Sequence, residues 1–146
     1  MEHNSSLWPL FSVDRVRLPQ DLLNEQAGEL KNATNNLLEA KVDYSVTNDP
    51  WELHDILKFG INNLSKASFY IIAPVLSDYR FRLFFAILSK LEIYPILIIS
   101  DLVDIRKVIY TEQELQDVLS LIFKSEETKQ IIETLMIQSL QEMSVL

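Results

Sequence analysis

Two aspartates, Asp101 and Asp104, come closest to a catalytic pattern in this chain. They follow the apolar run 96–99, which predicts a buried strand, so Asp101 would stand at a strand end. Carboxylates in that position bind Mg²⁺ in many enzymes that transfer phosphate groups. Aspartate is also an ordinary turn residue, and the D-x-x-D spacing is short and common. The pair is therefore consistent with a metal-dependent, nuclease-like, phosphate-processing enzyme or with a turn, and we favour the turn.

A second group contains Tyr79, Arg80 and Arg82. If residues 79–91 form a strand, the two arginines share one face and Tyr79 adjoins them. Two guanidinium groups on one face could clamp a phosphate or a carboxylate, for example one carried by a partner protein. The alternative is a solvated strand end in which the arginines pair with nearby acids.

Other catalytic patterns are absent from the sequence. The two histidines, His3 and His54, have no second histidine or any cysteine near them, and the chain contains no cysteine at all. The two glycines, Gly28 and Gly60, form no phosphate-binding loop and no serine-hydrolase elbow. The sequence therefore favours a non-catalytic protein, with no catalytic residue, cofactor or metal site predicted.

The charge of the chain limits its partners. The net charge is −8, and such a chain is repelled by the phosphate backbone that dominates nucleic-acid affinity. No apolar run approaches about 18 residues, and the N-terminus has neither a basic region nor a long apolar core. We therefore expect a cytoplasmic protein that binds neither membranes nor a broad nucleic-acid surface.

The acidic residues are concentrated at the C-terminal end. Residues 111–146 contain seven acids and two bases, a net charge of −5. Two helices are predicted there, beginning at a T-x-x-E capping box and at Ser125. Their apolar stripes face inwards, so the outer faces carry the acids, and Glu112, Asp117, Glu126 and Glu133 are the candidate contacts for a basic partner protein.

The most apolar stretch, residues 68–110, is predicted to form the centre of a sheet. Residues 69–73 and 96–99 read as buried strands, and Val103 to Tyr110 as a further strand near an edge. Residues 79–91 fit a strand better than a helix, although an apolar helical stripe is also present. The strand places Tyr79, Phe81, Leu83, Phe85 and Ile87 on one face, and Arg80, Arg82, Phe84, Ala86 and Leu88 on the other.

The flanking segments supply the remaining elements. Residues 7–18 are predicted to be an arm that packs onto the sheet, followed by a helix that begins at Pro19 and ends near Asn35. Residues 38–46 alternate like a strand, with Leu38, Ala40, Val42, Tyr44 and Val46 buried. Asp49 predicts the cap of a helix whose apolar stripe contains Leu53, Leu57, Ile61 and Leu64.

These elements predict one α+β domain over residues 1–146, with the first six residues disordered and residues 111–146 forming a helical pair. A mainly antiparallel sheet of about four to six strands is covered by N-terminal helices and by the C-terminal pair. We expect an acidic protein-binding module, such as an immunity protein, antitoxin or inhibitor that neutralises a basic partner. A structural subunit of a homo-oligomer is the other non-catalytic alternative.

Overall fold

The computed structural model describes residues 6–13, 16–47, 53, 56–58 and 64–145. The described elements are helix α1 (Pro19–Ala33), strands β1 (Glu39–Val46), β2 (Leu64–Ala73), β3 (Tyr79–Ser89), β4 (Ile96–Ser100) and β5 (Ile105–Ile109), and helices α2 (Glu112–Phe123) and α3 (Glu126–Val145). The strands form one antiparallel sheet in the order β1-β2-β3-β4-β5. The predicted α+β fold, with its antiparallel sheet and C-terminal helical pair, is confirmed.

The helices begin where the sequence signals predicted. Pro19 is the first residue of α1. The Thr111 hydroxyl accepts the Glu114 N–H at 3.1 Å at the start of α2. The Ser125 hydroxyl accepts the Thr128 N–H at 3.1 Å at the start of α3. Each hydroxyl satisfies a backbone donor that has no partner within its own helix, which fixes the first residue of that helix.

Residues 79–89 form a strand, which confirms the strand interpretation over the helix. The strand contains a β-bulge. Phe69 of β2 pairs with Phe84 of β3, but Tyr70 pairs with Arg82, so Leu83 is an extra residue without a partner in β2. An extra residue bends a strand and shifts the alternation of its side chains by one position.

The bulge corrects the predicted faces of β3. Leu83 and Phe84 are both buried in the core beneath the helices, with Ala86 and Leu88. Beyond the bulge the two predicted sets are therefore exchanged, and Arg82 shares its face with Phe85 rather than with Phe84. The bulge allows two exposed arginines and a buried aromatic core to follow each other in one strand.

Each face of the sheet carries its own apolar cluster. The larger cluster joins one face to α1, α2 and α3 and is centred on the stacked rings of Phe69 and Phe84, with Phe123 of α2 against both. The smaller cluster lies on the opposite face, where Leu53 and Leu57 pack against strand residues. The strand residues of this second cluster are Leu64, Ile87, Leu97 and Ile99.

The predicted burial of β1 is correct only at its start. Leu38 is fully buried and Val42 is half-buried, but Tyr44 is exposed and Val46 is 87% exposed. β1 is an edge strand, and its last residues are exposed to solvent. Alternating side chains identify the strand but not its place in the sheet.

Two predictions for the N-terminal half differ from the structure. Residues 6–13 form neither helix nor strand, and Trp8 and Leu10 are exposed, so this described part of the arm does not pack onto the sheet. Leu64 begins β2 and is not part of a helix. Most of the helix predicted from Asp49 falls outside the described residues, as do residues 1–5 of the segment predicted to be disordered.

The two faces of β1 lead to a stability prediction. We expect Val42→Asp to lower the free energy of unfolding by about 2–3 kcal/mol, because it places a carboxylate against the main core. Lys41→Asp lies on the opposite, solvated face and should cost less than about 1 kcal/mol. Urea unfolding of both variants measures the difference, and equal losses would contradict the register of β1.

Candidate functional site

The sheet face opposite the helices presents a small basic and aromatic surface. Arg80 donates to the Asp43 carboxylate at 2.9 Å, and its guanidinium lies 4.6 Å from the centre of the Tyr70 ring. Arg82 and Lys66 both lie over the Phe85 ring, at 4.7 Å and 4.2 Å from its centre. Cations in this position are held by the negative face of the ring while their charge stays in contact with solvent.

The predicted clustering of Tyr79, Arg80 and Arg82 is only partly realised. The arginines share a face, as predicted, whereas Tyr79 pairs with Ala73 and lies on the other face of the strand. Arg80 is neutralised by Asp43. Arg82 makes no ion pair within the described part of the chain, so it is the arginine available to an anionic group.

Asp101 and Asp104 lie in the turn between β4 and β5 and line different cavities. Asp101 faces a cavity beside Arg82, and Asp104 faces another beside α2. The Ser100 hydroxyl organises the turn by donating to the Leu83 carbonyl at 2.8 Å and accepting the Val103 N–H at 3.3 Å. Among the described residues, no group of three or more His, Cys, Asp or Glu side chains is placed to hold a metal ion. The geometry is that of a turn.

The acidic residues of the C-terminal helices border an open depression of about 740 Å³. It lies where the β4–β5 turn meets α2 and the start of α3. Its carboxylates come from Asp104, Asp117 and Glu127, and Lys124 is the lysine at its rim. Leu121 also lines it and is 60% exposed. We call these five residues the acidic depression.

A second exposed surface lies on the outer side of α3. Helical spacing aligns Glu126, Glu133, Ile137 and Leu140 along one stripe. All four are exposed, with Ile137 at 65% and Leu140 at 53%. We call these four residues the outer stripe. Ile137 and Leu140 therefore lie outside the inward-facing apolar stripe that was predicted for this helix, and their helical spacing from Glu126 and Glu133 is the sequence signal that could have shown it.

Glu112 has a different role from the other predicted acidic contacts. It is half-buried, and its carboxylate lies 3.6 Å from the Arg17 guanidinium, which also pairs with Glu25 of α1. Arg17 therefore connects α1 to α2. Burial raises the pKa of the nearby Tyr94 phenol, the Glu112 carboxylate raises it further, and Arg17 opposes this effect. The neutral phenol beside this ion pair is part of the packing.

The candidate histidines, His3 and His54, lie outside the described residues.

Comparisons of this chain with protein-family models, with curated proteins and with solved structures gave no match. Among the described residues, no helix is both long enough and apolar enough to cross a membrane.

Proposed function

We propose that this protein is a non-catalytic binding module and that its partner is a protein with a basic surface. The observation that carries the proposal is the mixed character of the outer surface of α2 and α3. Exposed carboxylates there lie beside large exposed apolar side chains, both in the acidic depression and on the outer stripe. Neighbouring exposed apolar side chains, such as Ile137 and Leu140, are more typical of a binding surface than of one that only keeps a protein soluble.

The acidic depression suits a lysine or arginine side chain. Such a side chain has an apolar stem and a charged head, so the stem can pack against Leu121 while the head approaches Asp117 and Glu127. On the outer stripe, Ile137 and Leu140 would form an apolar centre beside the carboxylate of Glu133. This arrangement combines charge attraction at a distance with apolar burial on contact.

The charge distribution agrees with a protein that captures its target quickly. The C-terminal 36 residues carry −5 of the total −8, so the molecule attracts a basic partner towards the same surface that would bind it. An inhibitor, antitoxin or immunity protein that neutralises a basic toxin or nuclease works in this way. Asp101 and Asp104, which line separate cavities, lend less support to a phosphate-processing enzyme.

Affinity capture with matched variants tests the proposal. Three baits are compared: the wild type and two variants. The first variant carries Asp117→Lys, Glu126→Lys and Glu133→Lys. The control variant carries Glu29→Lys, Glu39→Lys and Asp101→Lys, which change the net charge by the same amount. We expect the wild-type and control baits to retain a basic protein from the native host that the first variant loses by at least about tenfold. Retention of the same proteins by all three baits would overturn the proposed surface.

A further inference from the structure

β3 is the middle strand of the sheet, but part of it has a neighbouring strand on one side only. β3 pairs with β2 along its whole length, but it pairs with β4 only at residues 85–87. Within the described residues, no strand pairs with residues 79–84 on the side away from β2. Alternate residues of an antiparallel strand direct their N–H and C=O groups to each side, so this segment offers backbone groups to a further strand.

The open edge ends in a cavity that could hold the side chains of an added strand. The Ser100 hydroxyl, bonded to the Leu83 carbonyl, marks the end of β4 and closes the existing ladder. Beyond it lies a cavity of about 460 Å³ with apolar walls, one arginine and one aspartate. Its lining includes Phe81, Arg82, Phe85, Ile99, Asp101 and Leu102.

Two cations, Arg82 and Lys66, and one carboxylate, Asp101, lie near this edge. Arg82 and Lys66 flank the Phe85 ring, and neither forms an ion pair within the described residues. Residues 67–110 carry a net charge of +1 in a chain of net charge −8. An added strand with a carboxylate on this face would pair with Arg82 of β3, whereas Lys66, on β2, would act only at longer range. The apolar residues of the added strand would pack against the cavity walls.

We propose that the open edge of β3, residues 79–84, binds an extended acidic segment of a partner protein by strand addition. Backbone hydrogen bonds to residues 79–82 supply affinity, and Arg82 selects a carboxylate on the added strand. This surface is separate from the acidic depression and the outer stripe, so the inference does not depend on the function proposed for the helices.

A capped octapeptide that alternates glutamate with valine is the probe, observed through the amide NMR signals of the full-length protein. We expect saturating peptide to shift the amide signals of residues 79–84 and to slow the hydrogen exchange of those amides that face the open side. Two further peptides carry N-methyl groups, one on the odd and one on the even residues, so that each has lost the N–H donors of one edge. The peptide that is methylated on the edge facing β3 should bind at least about tenfold more weakly than the parent peptide.

The charge preference is tested with one variant and one matched control. Arg82→Glu should lower the affinity for the glutamate peptide about tenfold and raise the affinity for a peptide that alternates lysine with valine. Lys107→Glu, an equal charge change on β5, should leave binding of the glutamate peptide unchanged. The proposal is overturned if residues 79–84 show no response, or if both N-methylated registers bind as well as the parent. It is also overturned if a peptide of residues 6–13 binds there in preference, which would assign the edge to the N-terminal arm of this chain.

Discussion

The variant with Asp117, Glu126 and Glu133 replaced by lysine should bind the basic partner at least about tenfold more slowly than the wild type at low salt. The three reversals remove the attraction that steers the partner towards the acidic depression and the outer stripe. The effect should shrink as salt is added, because the screening length falls from about 30 Å at 0.01 M to about 8 Å at 0.15 M. Stopped-flow association with the captured partner at several salt concentrations measures both effects.

The fold should survive these reversals. The three side chains are exposed, and the only hydrogen bond recorded for them in the described residues is that of Asp117, which accepts from the Gln113 amide at 2.9 Å. Glu126 lies in the first turn of α3, where a lysine costs about 0.3–1 kcal/mol against the positive end of the helix. The control with Glu29, Glu39 and Asp101 reversed carries the same net charge. If it slows association equally, total charge is responsible and this surface is not.

Phe84→Ala should lower the free energy of unfolding by about 3–5 kcal/mol. Phe84 is 1% exposed. The centre of its ring lies 5.0 Å from that of the stacked Phe69 ring and 6.1 Å from that of the Phe123 ring of α2. Its removal would open a cavity between the sheet and the helices at the centre of the larger cluster.

Tyr79→Ala is the matched control on the same strand. Tyr79 is 52% exposed, so its loss should cost less than about 1 kcal/mol. Urea denaturation of both variants gives the two free energies. Similar values would show that the bulge does not direct Phe84 into the core.

The sequence predicted the elements of this fold better than their positions. Capping residues act locally, so Pro19, Thr111 and Ser125 could be assigned from the chain alone. The choice between strand and helix for residues 79–91 also rested on a local period. A local pattern does not show which strands pair with each other. The edge position of β1 and the exposure of Val46 could therefore not be predicted.

The candidate sites show the same limit. The β-bulge could not be read from the sequence, because Leu83 and Phe84 are both apolar and either can face the core. Regular alternation would place Arg82 and Phe85 on opposite faces of β3. Their contact could therefore not be predicted without knowledge of the bulge. Asp104 and Asp117 are remote in sequence, so their meeting in the acidic depression depends on how α2 packs beside the β4–β5 turn.

A methyl NMR titration of the protein, carbon-13-labelled at leucine and isoleucine, with the captured basic partner locates the binding surface directly. We expect the largest shifts at Leu121, Ile137 and Leu140, which are exposed on the surface proposed for recognition. Unchanged signals from these three residues, with shifts confined to Ile99 and Leu102 beside the open edge of β3, would contradict this expectation and place recognition of that partner on the sheet.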